Sequence, residues 1–318
     1  MSPLDMTALA GRMGEGALRQ RLAMEAEQDS HHYRHVEDFL RPEHLPSAGR
    51  LIHRALAAAG LRARGRNNAR RIRVHRNEVC LEHLPGVFEG CRLLHLSDLH
   101  LDAGRHHVEA LLAAVRGLEC DACVLTGDYR FGIEGSCAPA ISALARLVPV
   151  LPQPAFAVLG NHDGIDLVDG LERLGVRVLM NECAALHRGE MRLHIAGIDD
   201  AHYFRTHDIA RAAAGVPVDA CAILLSHTPE PYRHAAAHGF DLMLSGHTHG
   251  GQICLPGGIP LLTDTPAPRR LARGAWRQGR MQGYTSVGCG CSIIDARFFC
   301  PPEVTIHVLR GPQVGRHQ

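Results

Sequence analysis

Five apolar runs in this chain end in side chains that bind metal ions or carry protons: Ser97-Asp98-Leu99-His100, Gly127-Asp128, Gly160-Asn161-His162-Asp163, Ser226-His227 and Gly246-His247-Thr248-His249. Neutral imidazole is the commonest protein ligand for metals, and carboxylates complete such sites. In extended chain, residues two apart point the same way, so His247 and His249 are expected to project from one strand end into one space. Gly246 on one side and Gly250-Gly251 on the other let the backbone turn sharply and let a ligand approach closely. An isolated pair of this kind reads as two solvated histidines in a polar loop. Five blocks at successive strand ends do not, because those ends converge in space.

The elements that carry the blocks follow from the hydrophobic pattern. "CRLLHLSDLH", "CDACVLTGDY", "PAFAVLGNHDG", "ACAILLSHTPE" and "DLMLSGHTHGG" read as short buried strands that stop at the polar residues. "RHHVEALLAAVRGL", "APAISALARLV", "GIDLVDGLERLG" and "PYRHAAAHG" read as helices between them. "AALHRGEMRLHIAGIDD" reads as a β-hairpin turning at Arg188-Gly189. This order implies α/β architecture around a mixed inner sheet, with the loops after the strands lining the edge where open α/β sheets place ligands. No long-period internal repeat is visible.

The blocks, in this order, resemble the calcineurin-like metallophosphoesterases, whose pattern is DxH, GD, GNH[DE], a separate His and GHxH. They span residues 98–249, and "GHTHGGQICLP" with the tail "RFFCPPE" resembles a bacterial branch of that family. The resemblance implies a four-layer α/β/β/α sandwich with the active site at the C-terminal ends of its strands. It implies that Asp98, His100, Asp128 and His249 hold one divalent metal ion, and that Asp128, Asn161, His227 and His247 hold a second. Mixed nitrogen and oxygen ligation favours Mn, Fe or Zn over Mg or Ca. Two such ions outweigh the two carboxylates even with a bridging hydroxide, so the site suits a phosphate anion. The two oxygens of Asp128 can hold ions roughly 3.5–4 Å apart, and the bridging hydroxide would attack phosphorus in line. His162, left free of metal, is expected to donate a proton to the leaving oxygen. Asp163 either orients it or caps a turn. Arg130 either contacts phosphate or makes a surface ion pair.

The implied activity is hydrolysis of a phosphoester or pyrophosphate bond in a small-molecule or lipid-linked substrate such as UDP-diacylglucosamine. A general or cyclic-nucleotide phosphodiesterase is the alternative on substrate. A non-catalytic binding module fits less well, because such members usually lack ligands that are present here. Residues 71–318 are expected to form the phosphoesterase domain and residues 1–70 an N-terminal extension, helical or irregular.

Composition bounds the rest. The 318 residues carry a net charge of +1, which argues against a nucleic-acid partner. The 11 cysteines follow no repeating spacing and read as reduced thiols of a cytoplasmic protein, with Cys120-Asp-Ala-Cys123 too isolated for a zinc site. No run reaches the ~20 apolar residues of a membrane span. Residues 51–76 read as an amphipathic helix followed by a stretch with seven arginines from Arg62 to Arg76. That segment either lies at an anionic membrane surface or forms a packed helix with a solvated linker. Of the 23 histidines, His31, His32 and His35 read as solvated and His95 as a hydrogen-bonded core residue. His106 and His107 read as a helix's polar face or a substrate contact, and Asp199-Asp200 as a turn.

Overall fold

The computed structural model describes residues 5–29, 46–133 and 135–312. The strands of its first half are β1 (Arg73–Cys80), β2 (Arg92–Leu96), β3 (Ala122–Leu125), β4 (Ala155–Ala157), β5 (Val176–Val178), β6 (Glu182–Arg188) and β7 (Met191–Gly197). Those of the second are β8 (Ala222–Leu225), β9 (Leu242–Ser245), β10 (Cys254–Leu255), β11 (Ile259–Pro260), β12 (Gly274–Gln278), β13 (Met281–Thr285) and β14 (Glu303–Arg310). The helices are α1 (Met6–Met13), α2 (Glu15–Asp29), α3 (Pro46–Ala58), α4 (Arg62–Ala69), α5 (Arg105–Val115), α6 (Ala138–Leu147), α7 (Leu167–Arg173), α8 (Ile209–Ala213) and α9 (Tyr232–Ala237).

Two six-stranded mixed sheets result, in the orders β1-β14-β2-β3-β4-β5 and β12-β13-β9-β8-β7-β6. Strands β3, β8 and β9 are buried along their whole length, which is why they read as unbroken apolar runs rather than alternating ones. Successive residues still face opposite ways. Leu93, Val124 and Phe156 of one sheet meet Ile195, Ile223 and Leu244 of the other in a shared inner core. Leu94, Leu96 and Leu125 face outward onto Val108 and Leu111 of α5, Leu144 of α6 and Leu171 of α7. On the far side Leu224 and Met243 pack against Ala212 of α8 and Ala235 of α9. The layers are therefore α/β/β/α, as the family resemblance implied.

Three details differ from the sequence reading. The strands stop earlier than expected, because Asp98, His100, Asp128, His247 and His249 have φ between 43 and 71°, a left-handed backbone that ends a strand. His247 and His249 thus sit on a tight turn and not on extended chain. The hairpin turns on Gly189-Glu190, one residue later than read, since Arg188 pairs with Met191 and Gly189 supplies a φ of 59°. The arginine-rich stretch is neither one helix nor a linker: α4 is followed by β1, which pairs in parallel with β14 from Arg73↔Glu303 to Cys80↔Arg310. Exposed charges are tolerated there because β1 is an edge strand.

Helices α1 and α2 pack on the first sheet's outer core through Leu9, Met13 and Leu18. Asp5 caps α1 by accepting from the Thr7 and Ala8 amides at 3.0 Å. Arg21 of α2 is wholly buried, pairs with Glu25 at 2.9 Å and with Asp199, donates to the Asp163 carbonyl, and stacks 4.0 Å from the Phe204 ring. The reading of residues 30–45, with His31, His32 and His35, lies outside the described residues. All 11 cysteines are free.

Removing one partner of a buried ion pair leaves a bare charge, so Arg21→Ala should cost about 3–5 kcal/mol in urea unfolding. The exposed Arg19→Ala should stay within about 0.5 kcal/mol, and equal losses in the two variants would contradict this account.

Candidate metal centre

The loops after the strand ends are stitched together by their backbones. Asp98 N donates to Gly127 O at 3.0 Å, His100 N to Asp128 O at 3.0 Å, and Gly246 N to His227 O at 2.8 Å. Two glycines permit this closeness. A Cβ on Gly246 would collide with Ser97 and the Asp98 carboxylate, and one on Gly160 with the Asp128 carboxylate.

Asp163 fixes the Asp128 loop. Its carboxylate accepts from the amides of Asp128 (2.7 Å), Tyr129 (2.9 Å), Arg130 (3.3 Å) and Gly160 (2.8 Å). Of the two roles left open by the sequence, the turn-holding one matches these contacts.

Within this frame the described donors fall into groups. Asp98, His100 and His249 form one, with His100 Nε2 and His249 Nε2 3.2 Å apart and His249 Nε2 3.5 Å from Asp98 Oδ1. Asp128, His227 and His247 form a second, with His247 Nδ1 3.2 Å from His227 Nε2 and Asn161 Oδ1 2.9 Å from that same nitrogen. Asp128 lies between them: Oδ1 is 3.4 Å from His227 Nε2, and Oδ2 is 3.9 Å from His100 Nε2. His162 completes the surround, its amide donating to Asp128 Oδ1 at 3.0 Å and its Nε2 3.9 Å from Asp128 Oδ2.

Backbone carbonyls set the imidazole tautomers. His100 Nδ1 donates to Arg130 O at 2.5 Å, His227 Nδ1 to Thr126 O at 2.7 Å and His162 Nδ1 to Phe131 O at 2.8 Å. A carbonyl only accepts, so each proton sits on Nδ1 and each Nε2 turns toward the centre. Nitrogen and carboxylate donors crowded this closely, with the far nitrogens of His100, His227 and His249 already hydrogen-bonded, suit divalent cations.

The electrostatics agree with that fit. Burial lowers His100 to about 3 and holds His247 and His249 well below the usual imidazole range, so all three are neutral at pH 7. His227 goes the other way. Burial opposes its charge, but Asp128 and Asp98 outweigh burial and raise it to about 10. Burial also lifts Asp98 to about 6.

Other residues singled out in the sequence surround this centre. The Arg130 side chain is buried and donates to Gly135 O at 2.9 Å, and its carbonyl is what the structure brings to the His100 ring. His107 Nε2 donates to Leu99 O at 2.7 Å and braces the loop after Asp98. His95 is a hydrogen-bonded core residue as read, 3.2 Å from His307 and 2.9 Å from Thr126. Asp200 caps a turn by accepting from the His202, Tyr203 and Phe204 amides at 2.6–3.1 Å.

Four residues beside the centre are not marked by the sequence pattern. Arg297 is wholly buried and donates to His249 Nδ1 at 3.2 Å, His249 O at 3.3 Å and Val287 O at 2.7 Å. Its place in "RFFCPPE" was the available signal. On the other side the His202 ring lies 4.2 Å from that of His247, and Asp264 Oδ2 is 3.7 Å from His247 Nε2 and 3.7 Å from His202 Nε2. His202 also holds Glu230 at 2.6 Å. No spacing in the sequence announces that trio.

In the metal-free protein His227 carries a proton, because its folded value lies above the ordinary 6.5. A metal must displace that proton, so binding at pH 7 should release about one proton and weaken as pH falls. Titration calorimetry in buffers of different ionisation enthalpy reads the number directly; no release, or release unchanged in His227→Asn, would contradict the assignment.

The calcineurin-like phosphoesterase family model matches residues 91–251. An uncharacterized metallophosphoesterase of Aquifex aeolicus is 31% identical over 254 residues, covering 76% of this chain and 92% of that protein. The phosphodiesterase YaeI of Escherichia coli is 29% identical over 231 residues, covering 68% of this chain and 80% of that one. A Danio rerio transmembrane protein with a metallophosphoesterase domain is 32% identical over 252 residues, 73% of this chain, which spans only 56% of that protein's length. The matched residues include all five blocks and both donor groups that Asp128 joins. The chain belongs to the calcineurin-like phosphoesterase family, hydrolases acting on phosphoester bonds.

Proposed function

We propose that the domain hydrolyses a phosphoester or pyrophosphate bond at a centre of two divalent cations, Mn, Fe or Zn. The observation that carries this reading is that the two oxygens of Asp128 face separate sets of buried donors. On this reading Asp98, His100, Asp128 and His249 hold one cation, and Asp128, Asn161, His227 and His247 hold the other. Bound there, the cations would supply positive charge opposite a phosphate and a water made nucleophilic at neutral pH.

The chain's own residues do the remaining work. Asp163 keeps Asp128 in register, and Arg130 steadies His100 through its carbonyl. His162 is the candidate acid. Its ring is fixed by Phe131 O at Nδ1, its side chain is 14% exposed, and its Nε2 lies 3.9 Å from Asp128 Oδ2. With Nδ1 committed as a donor, proton transfer to a leaving oxygen requires a second proton on Nε2.

On substrate, we propose a lipid-linked phosphate such as UDP-diacylglucosamine. Peripheral membrane contact is proposed through residues 51–76, where Arg54, Arg62, Arg64 and Arg66 are exposed. The free cysteines support a reducing, cytoplasmic setting. The second reading, a general phosphodiesterase, is favoured by the name of the Escherichia coli relative.

Metal-stripped protein assayed with added Mn, Fe(II), Zn or Mg against an aryl phosphomonoester and an aryl phosphodiester tests the proposal. Turnover should return with metal, prefer one ester, and fall as pH is lowered, because the proton on His227 then competes more strongly with the metal. His162→Ala should keep its metal and lose roughly 10²–10⁴-fold in kcat on poor leaving groups, and less on groups that leave without a proton. A protein that binds no metal would end this reading, and a uniform loss across leaving groups would remove the acid role from His162.

A further inference from the structure

Of the twelve large apolar side chains that face solvent among the described residues, five belong to one ribbon that follows His249 and to the loop joined to it. The chain leaving His249 turns into the β10–β11 ribbon, where Leu255, Ile259, Leu261 and Leu262 are exposed, Leu262 by 63%. Phe299, 53% exposed, belongs to the neighbouring loop. The two are joined: Cys254 N donates to Phe298 O at 2.9 Å, and the α-carbon of Gly258 at the ribbon tip packs toward Phe299 O. Residues 252–263 contain no charged side chain.

Positive charge borders this apolar surface. Arg269, Arg270 and Arg273 are exposed, and Arg273 donates to Gly258 O at 2.7 Å, which places its guanidinium at the ribbon tip. Helix α4, with its exposed arginines, packs on the same loop, as Gly65 lies against Ala296 and Phe298 and Gly65 O accepts from Arg297 N at 3.1 Å. A contiguous exposed apolar patch marks a place of interaction. Apolar tips bordered by arginines match a bilayer whose acyl boundary takes the former and whose anionic phosphates take the latter.

The ribbon is also coupled to the centre. It begins within a few residues of His249, and Gly251 packs against Pro260 and the Leu262 carbonyl. A surface held by the ribbon is therefore held close to the donors that face a phosphate.

We infer that the β10–β11 ribbon, with Phe299 and the bordering arginines, docks on an anionic lipid bilayer and presents the metal centre to lipid-borne phosphate. Its catalytic consequence rests on the phosphoesterase reading above, whereas the docking itself does not.

The test is co-sedimentation of the full, metal-loaded chain with phosphatidylcholine vesicles and with vesicles in which about one third of the lipid is phosphatidylglycerol. Binding is expected to the anionic vesicles and to weaken as salt is raised. Leu261→Asp/Leu262→Asp should weaken it roughly tenfold or more. Arg269→Glu/Arg270→Glu should weaken it too, and keeps the inference testable if the first variant lowers the thermal unfolding midpoint. Wild-type protein that sediments with neither vesicle, or binding unmoved in both variants, overturns the inference. So does self-association that Leu261→Asp/Leu262→Asp abolishes in a protein without vesicle binding, since a second copy would then cover this face. Absence of metal-restored turnover on soluble esters would instead count against the phosphoesterase reading and leave vesicle binding to stand or fall separately.

Discussion

Two carboxylates and five imidazoles crowded into one buried space constrain this fold, and Asp128 is where the constraint is sharpest. Its charge is held by the cationic His227 ring and the His162 amide, and its oxygens face two donor groups at once. A carboxylate in that position cannot drift by an ångström without breaking both groups. Much of the nearby architecture keeps it still. Asp163 collects four amides from the loops after β3 and β4, Gly160 yields the space a methyl would fill, and neighbouring loops exchange backbone hydrogen bonds. The strands exist at their particular lengths because left-handed residues end them where this meeting must occur.

That frame extends beyond the part of the chain that carries the five blocks. Arg21 on α2 donates to the Asp163 carbonyl while its charge is balanced by Asp199 and Glu25. Asp199 in turn follows β7, so one buried guanidinium ties an N-terminal helix, the loop after β4 and the second sheet together. A buried ion pair of this kind is worth little as net stability and much as a fixed geometry. The N-terminal helices therefore take part in positioning the centre, although they supply none of its donors.

What could be read from the sequence was whatever depended on local pattern. Buried parallel strands announce themselves as short apolar runs, and glycine and histidine at their ends mark the site. The reasoning for His247 and His249 reached a shared space by an incorrect route: they converge through a left-handed turn, and each joins a different donor group. Strand β1 escaped notice because an exposed edge strand carries no apolar run, and its arginines resembled a linker. Arg297, Asp264 and Glu230 matter through tertiary contacts between segments far apart in the chain, which no spacing rule records. Arg130 adds a contact of another kind, since its carbonyl accepts from the His100 ring and no side-chain pattern announces a backbone partner.

The position of β14 adds a consequence for how the chain reaches this state. It lies between β1 and β2, parallel to one and antiparallel to the other, in a sheet whose other members precede it by more than a hundred residues. During synthesis β1 has no partner and β2 only one until the segment Glu303–Arg310 has left the ribosome. The loop carrying Asp98 hangs from β2, so assembly of the centre must wait for nearly the last element described. Such long-range closure slows folding and leaves the apolar edge of β2 open meanwhile.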